Sequence, residues 1–85
     1  MNSLPMIPLS ACHTGQQFIM KRSDVQGVLR RRLLDLGFVP GAVIEVLQKS
    51  PLGDPVAYQV HHTTIALRHE EASRIFGCVK GEEEP

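Results

Sequence analysis

The sequence carries no net charge, because nine basic and nine acidic residues cancel formally. Without a positive surplus it has no electrostatic footprint for general nucleic-acid binding. It has no apolar window near the roughly 18 residues needed to cross a bilayer, so no direct membrane insertion is expected. It contains no C-x-x-C and no H-x-x-x-H, which removes the local spacings that build a metal site. It contains no glycine-rich phosphate loop with its lysine, and no internal repeat. Only Cys12 and Cys78 are present, near opposite ends of the chain, which allows one disulfide. The N-terminus has no basic flank leading into a continuous apolar run, since Pro5 and Pro8 interrupt its short apolar stretch. A secretory signal is therefore not read here, and a cytoplasmic protein with reduced thiols is the expectation.

What remains is an 85-residue chain, 42% hydrophobic and 21% charged, which is the balance of one small soluble domain with a single core. Residues 1–8, with two prolines and little periodicity, read as a flexible leader. Residues 80–85 read as an acidic, solvated tail, and without them eight bases face six acids. The domain is expected over residues 9–79.

Its strongest punctuation lies between Arg30 and Pro55. Leu36-Gly37 followed by Pro40-Gly41 reads as a helix end, because glycine takes the left-handed conformation that caps free carbonyls and the proline forbids resumption. Upstream, Ser23-Asp24-Val25-Gln26 fits a capping box and predicts a helix over 24–36. Val25, Leu29, Leu33 and Leu36 share one stripe at helical spacing, the predicted core face. Gly27 inside that helix costs on the order of 1 kcal/mol against alanine. Arg32 falls into the apolar stripe, where it either snorkels or pairs with Asp54 or Asp35. Leu34 falls nearly opposite, beside Arg30, and is either covered by its own chain or left exposed for a partner.

The rest reads mainly as strand. Leu9 to Gly15 can form a short helical turn with Ser10 as its cap, followed by a strand over 16–21. Val43 to Lys49 is rich in β-branched residues and extended, with Ile44 and Val46 on one face. Ser50-Pro51-Leu52-Gly53-Asp54-Pro55 is a stiff turn. Val56, Tyr58 and Val60 alternate with Ala57 and Gln59 as a half-buried strand, and the chain reverses at His61-His62 into Thr63–Leu67. A short helix is predicted over 70–75 with a Glu70–Arg74 ion pair, then a closing strand over 76–79. Short strands joined by tight hairpins in so few residues favour a small closed or nearly closed β-barrel, which removes exposed edges.

In order and spacing, Arg32-Leu33-Leu34-Asp35-Leu36-Gly37, Pro40-Gly41, the 50–55 turn and Ile65-Ala66-Leu67-Arg68 with Glu71-Ala72 resemble the ferrous-iron transport protein A (FeoA) family. The resemblance runs from about Leu9 to Val79. It implies a mainly β fold, a small SH3-like barrel with a helical insertion after the first strand and a short C-terminal helix. It also implies a non-enzymatic cytosolic accessory that binds the G-protein-bearing part of the membrane Fe(II) transporter, peripheral at the inner membrane through that partner. The hairpin tip, often glycine-containing in the family, is His61-His62 here, which puts tight turn geometry in question.

No catalytic constellation and no cofactor motif stands out. Cys12, His13, His61, His62 and Cys78 are the only metal candidates that bear on iron, and adjacent pairs point to opposite faces of a strand, a poor ligand spacing. The expected site is instead a partner-binding surface built from Arg30, Arg31, Leu34, Leu52 and Asp54, an apolar anchor with a basic rim. The same exposed apolar groups allow weak self-association. Two rival readings are a metal-sensing or iron-chaperone barrel and, less favoured, a nucleic-acid-binding barrel. The latter needs a recognition helix where Val43 to Leu47 is strand-like.

Overall fold

The computed structural model describes residues 6–81. The expected leader residues 1–5 and tail residues 82–85 lie outside them. Strand β1 is Ile7–Pro8, a 3-10 turn follows at Leu9–Ala11, and β2 is Gln17–Ser23. Helix α1 is Gly27–Leu36 and β3 is Val43–Lys49. Strands β4 (Val56–Val60) and β5 (Thr63–Leu67) precede α2 (His69–Ala72) and β6 (Ile75–Val79).

The strands form one six-stranded sheet in the order β1-β6-β2-β3-β4-β5. All described pairings are antiparallel. The mainly β, SH3-like architecture with a helix inserted after an early strand is therefore present, but the ladder is not closed: β1 and β5 are its ends. Ile7 and Pro8, read from sequence as part of the leader, pair with Gly77 and Phe76. Strand β6 is not a terminal closing strand. It lies between β1 and β2, so the last strand of the chain sits inside the sheet.

Alternation explains the core. Phe18 and Met20 of β2, Ile44 and Val46 of β3, Tyr58 and Val60 of β4, and Ile65 and Leu67 of β5 are all buried, with more exposed neighbours between them. Their register stacks them across the sheet, with Phe18 opposite Ile44, Val46 opposite Tyr58, and Tyr58 opposite Ile65. Leu9, Phe38 and Ile75 belong to the same buried cluster.

Helix α1 ends as the sequence requires. The Gly37 N–H donates to Leu34 O at 3.1 Å and the Phe38 N–H to Leu33 O at 2.9 Å, with Gly37 at φ 105°. These two bonds and the burial of Leu33 and Phe38 together make a Schellman motif. The helix start differs from expectation. Ser23 belongs to β2 opposite Ile75, and the Asp24 N–H donates to Arg74 O at 2.7 Å, so the chain stays extended past the predicted capping box. Ser23 Oγ accepts from the Val25 N–H instead. Gly27 is the first helical residue, at φ 72°, a left-handed conformation that suits glycine and replaces the interior-helix reading. Val25 is buried ahead of the helix, Leu33 is its one buried residue, and Leu29 and Leu36 pack at the core edge.

Three smaller expectations are corrected. The 3-10 turn begins after Pro8, without a Ser10 cap. Helix α2 stops at Ala72 and Ile75 opens β6, so Arg74 is not one helical turn above Glu70 and no ion pair joins them. Arg32 is exposed and makes no ion pair among the described residues, so it does not pair with Asp54 or Asp35, and Asp54 Oδ1 instead accepts the His69 N–H at 2.8 Å. The Asp54 carboxylate thereby ties the 50–55 loop to the first turn of α2, where free amides favour an acid.

The hairpin at His61-His62 keeps the tight geometry, with φ 49° and 66°. Positive φ at both central residues is the type I′ pattern of a two-residue hairpin, a conformation histidine reaches more readily than most side chains. The His61 ring lies over Gly37. A Cβ built there would come within 3.1 Å of its Nε2 and 3.3 Å of its Cγ, so the bare glycine lets the hairpin seat against the end of α1.

Candidate functional site

The candidate surface forms where α1 crosses the far end of β2. The alternation of β2 is broken by a register shift between Met20 and Arg22, a bulge that leaves Lys21 and Arg22 both exposed. Leu34 is one helical turn beyond Arg30 on α1, so the two share a face. Between strand and helix lies a cleft of about 220 Å³, lined by Lys21, Arg30, Leu33, Leu34, Phe38 and Pro40 among others. Leu33 and Phe38 are buried, and Leu34 is 40% exposed at its lip, so the alternative in which the chain covers Leu34 does not hold.

Of the sequence candidates, the fold brings Arg30 and Leu34 together on this cleft. Arg31 is exposed on the same helix but outside the lining. Leu52 stands 94% exposed on the 50–55 loop, also outside the cleft. Asp54 has a structural task, accepting from the start of α2. Sequence reasoning missed Lys21, Phe38 and Pro40. The signal for Phe38 and Pro40 was present, since the Schellman geometry implied by Gly37 buries the residue after it. Nothing local indicated that β2 would bulge at Lys21. The cleft lining includes Lys21, Arg22 and Arg30 and no acidic residue. Arg22 is partly neutralised, bonded to Asp24 at 3.3 Å with its guanidinium 4.7 Å from the Phe76 ring centre.

The metal candidates stay dispersed. His61 and His62 are exposed on the hairpin, His13 is exposed with its N–H donating to Gln16 Oε1, Cys12 is buried, and Cys78 is half-buried on β6. Neither Cys12 nor Cys78 is in a disulfide. Among the described residues no three His, Cys, Asp or Glu side chains come together in a group that could hold a metal ion.

One buried ionisable group is perturbed. Tyr58 is pushed up to about 12, chiefly because burial penalises the phenolate and further because negative charge at Cys12 and Asp54 opposes it. Below pH 10 the phenol is protonated in both folded and unfolded chains, and the neutral ring contributes fully. Between about pH 10 and 12 the unfolded chain releases the proton first, so stability falls as pH rises, by on the order of 2 kcal/mol. Tyr58 is the one tyrosine and there is no tryptophan, so tyrosinate absorbance reports it alone. We expect a midpoint near 12 for the folded protein and near 10 in denaturant; coincident midpoints would contradict the assignment.

No helix among the described residues is long and apolar enough to cross a membrane. The FeoA domain family model matches residues 7–78. A fusion of Fe(2+) transport protein A with the Fe(2+) transporter FeoB, from Porphyromonas gingivalis, is 45% identical over 67 residues, which is 79% of this chain and 8% of that protein. The solution structure of iron(II) transport protein A from Clostridium thermocellum superposes with TM-score 0.80 at 40% identity, covering 88% of this chain and 46% of the other. FeoA from Stenotrophomonas maltophilia, an SH3 domain protein complexed with zinc, gives TM-score 0.73 at 31% identity over 92% of this chain and 95% of that one. A manganese-dependent transcriptional repressor structure at 19% identity and TM-score 0.76 shares the fold. With the family match spanning both edges of the sheet and the cleft between β2 and α1, the chain belongs to the FeoA domain family.

Proposed function

We propose that this chain is a non-enzymatic accessory of ferrous-iron uptake that docks on the cytosolic, G-protein-bearing part of the Fe(II) transporter. The observation that carries the reading is the relative in which a 45% identical domain is continuous with that transporter. Fusion turns association into an intramolecular event at millimolar effective concentration, so a modest surface suffices when both partners sit on one chain. The cleft between α1 and β2 is such a surface, with a half-exposed leucine and cations around it. Docking acts on transport only through a difference in affinity between the transporter's states. The location follows as cytoplasmic, at the membrane through the partner.

The test is capture of the transporter's cytosolic domain by the full chain, with and without guanine nucleotide. Leu34→Asp puts a charge into the apolar lip and is expected to weaken capture about tenfold, the loss of roughly 1.4 kcal/mol of apolar contact. Parent protein that captures nothing would end the docking model. Unchanged capture by the Leu34→Asp protein would move the interface elsewhere.

A further inference from the structure

We infer that the cleft between α1 and β2 receives a short acidic segment of a protein partner, carrying one apolar side chain that inserts between Leu34 and Phe38. The inference rests on the docking reading above and names the chemistry of what docks.

Size limits the occupant first. At about 220 Å³ the cleft falls below the roughly 300 Å³ where small-molecule sites begin, and it suits a single inserted side chain. Its floor is apolar, from Leu33 and Phe38, so the inserted group is apolar too. Charge then selects the flanks. The chain as a whole is neutral, yet this lining holds three cations and no acid. Lys21 and Arg30 have no ion pair among the described residues, whereas Arg22 already holds Asp24. Two cations on opposite walls, one from the strand bulge and one from the helix, are therefore left to meet carboxylates on either side of the anchor. Such rim pairs contribute modestly to affinity and more to orientation and encounter rate.

The experiment uses the full chain and fluorescent ten-residue peptides. One has a central leucine flanked by glutamates, a second replaces each glutamate with lysine, and a third replaces the leucine with serine. Binding of the first alone, weakened roughly fivefold by Arg30→Glu or Lys21→Glu and less than twofold by Arg31→Glu, is the expected result. Arg31→Glu makes the same charge change on the same helix outside the cleft, so an equal loss there would show bulk attraction and overturn the proposal. Equal binding of the serine or lysine peptide would overturn it as well. So would stronger binding to phosphatidylglycerol vesicles, lost in the same variants. The peptides contain no transporter sequence, so peptide binding without transporter capture would refute the proposed function and leave the cleft's chemistry standing.

Discussion

Gly77→Ala is expected to destabilise the protein by about 3 kcal/mol or more, a large share of the ~4–13 kcal/mol available to a domain of this size. Gly77 lies in β6, opposite Met20 of β2 and Ile7 of β1. A Cβ there would sit on the Ile19 carbonyl oxygen, 2.9 Å from the Ile19 carbonyl carbon and 2.9 Å from Phe18 Cζ. Neither neighbour can give way cheaply. The first is backbone of a strand paired on both sides, and Phe18 is fully buried. Urea unfolding should show a lower midpoint with little change in slope. Gly53→Ala is the control: its Cβ meets nothing within 4 Å, and only its positive φ of 86° resists, for about 1 kcal/mol. Equal losses in the two variants would show that close approach to β2 is not what Gly77 serves.

Phe38→Ala should cost about 3–5 kcal/mol, the range for emptying a buried aromatic site. Phe38 is 1% exposed and its N–H is held by Leu33 O, so neither ring nor backbone is free to collapse into the space. The same ring floors the cleft. Phe38→Leu keeps most of the volume and should lose nearer 1 kcal/mol while making the floor shallower. Transporter capture by the folded Phe38→Leu protein then separates the two roles. Full capture despite the altered floor would place docking away from the cleft.

Much of the fold was legible because it is written in short-range geometry. Leu36-Gly37 and Pro40-Gly41 end a helix whatever surrounds them, and Gly37 is found left-handed. The strand at Val43–Lys49 and the alternation of Val56, Tyr58 and Val60 needed only a buried face to pack against. The errors share another cause. Ser23-x-x-Gln26 is a sound capping box in isolation, but Ser23 pairs with Ile75 of β6 and the Asp24 N–H with Arg74 just before that strand, both far along the chain. Asp54 read as a docking acid or an Arg32 partner, whereas it accepts the His69 N–H at the start of α2. The histidine hairpin looked unfavourable until the His61 ring was seen to lie on Gly37.

By itself the sequence determined that this is a neutral, mainly β domain of the FeoA type, with one capped helix and a proline-stiffened loop. Those features depend on the conformations open to a few neighbouring residues. The tertiary structure alone decided that β6 lies inside the sheet, that Gly77 admits no side chain, and that Lys21, Arg30, Leu34 and Phe38 line one cleft. Each depends on residues distant in the chain meeting across a strand pairing or a helix packing, which no local preference encodes.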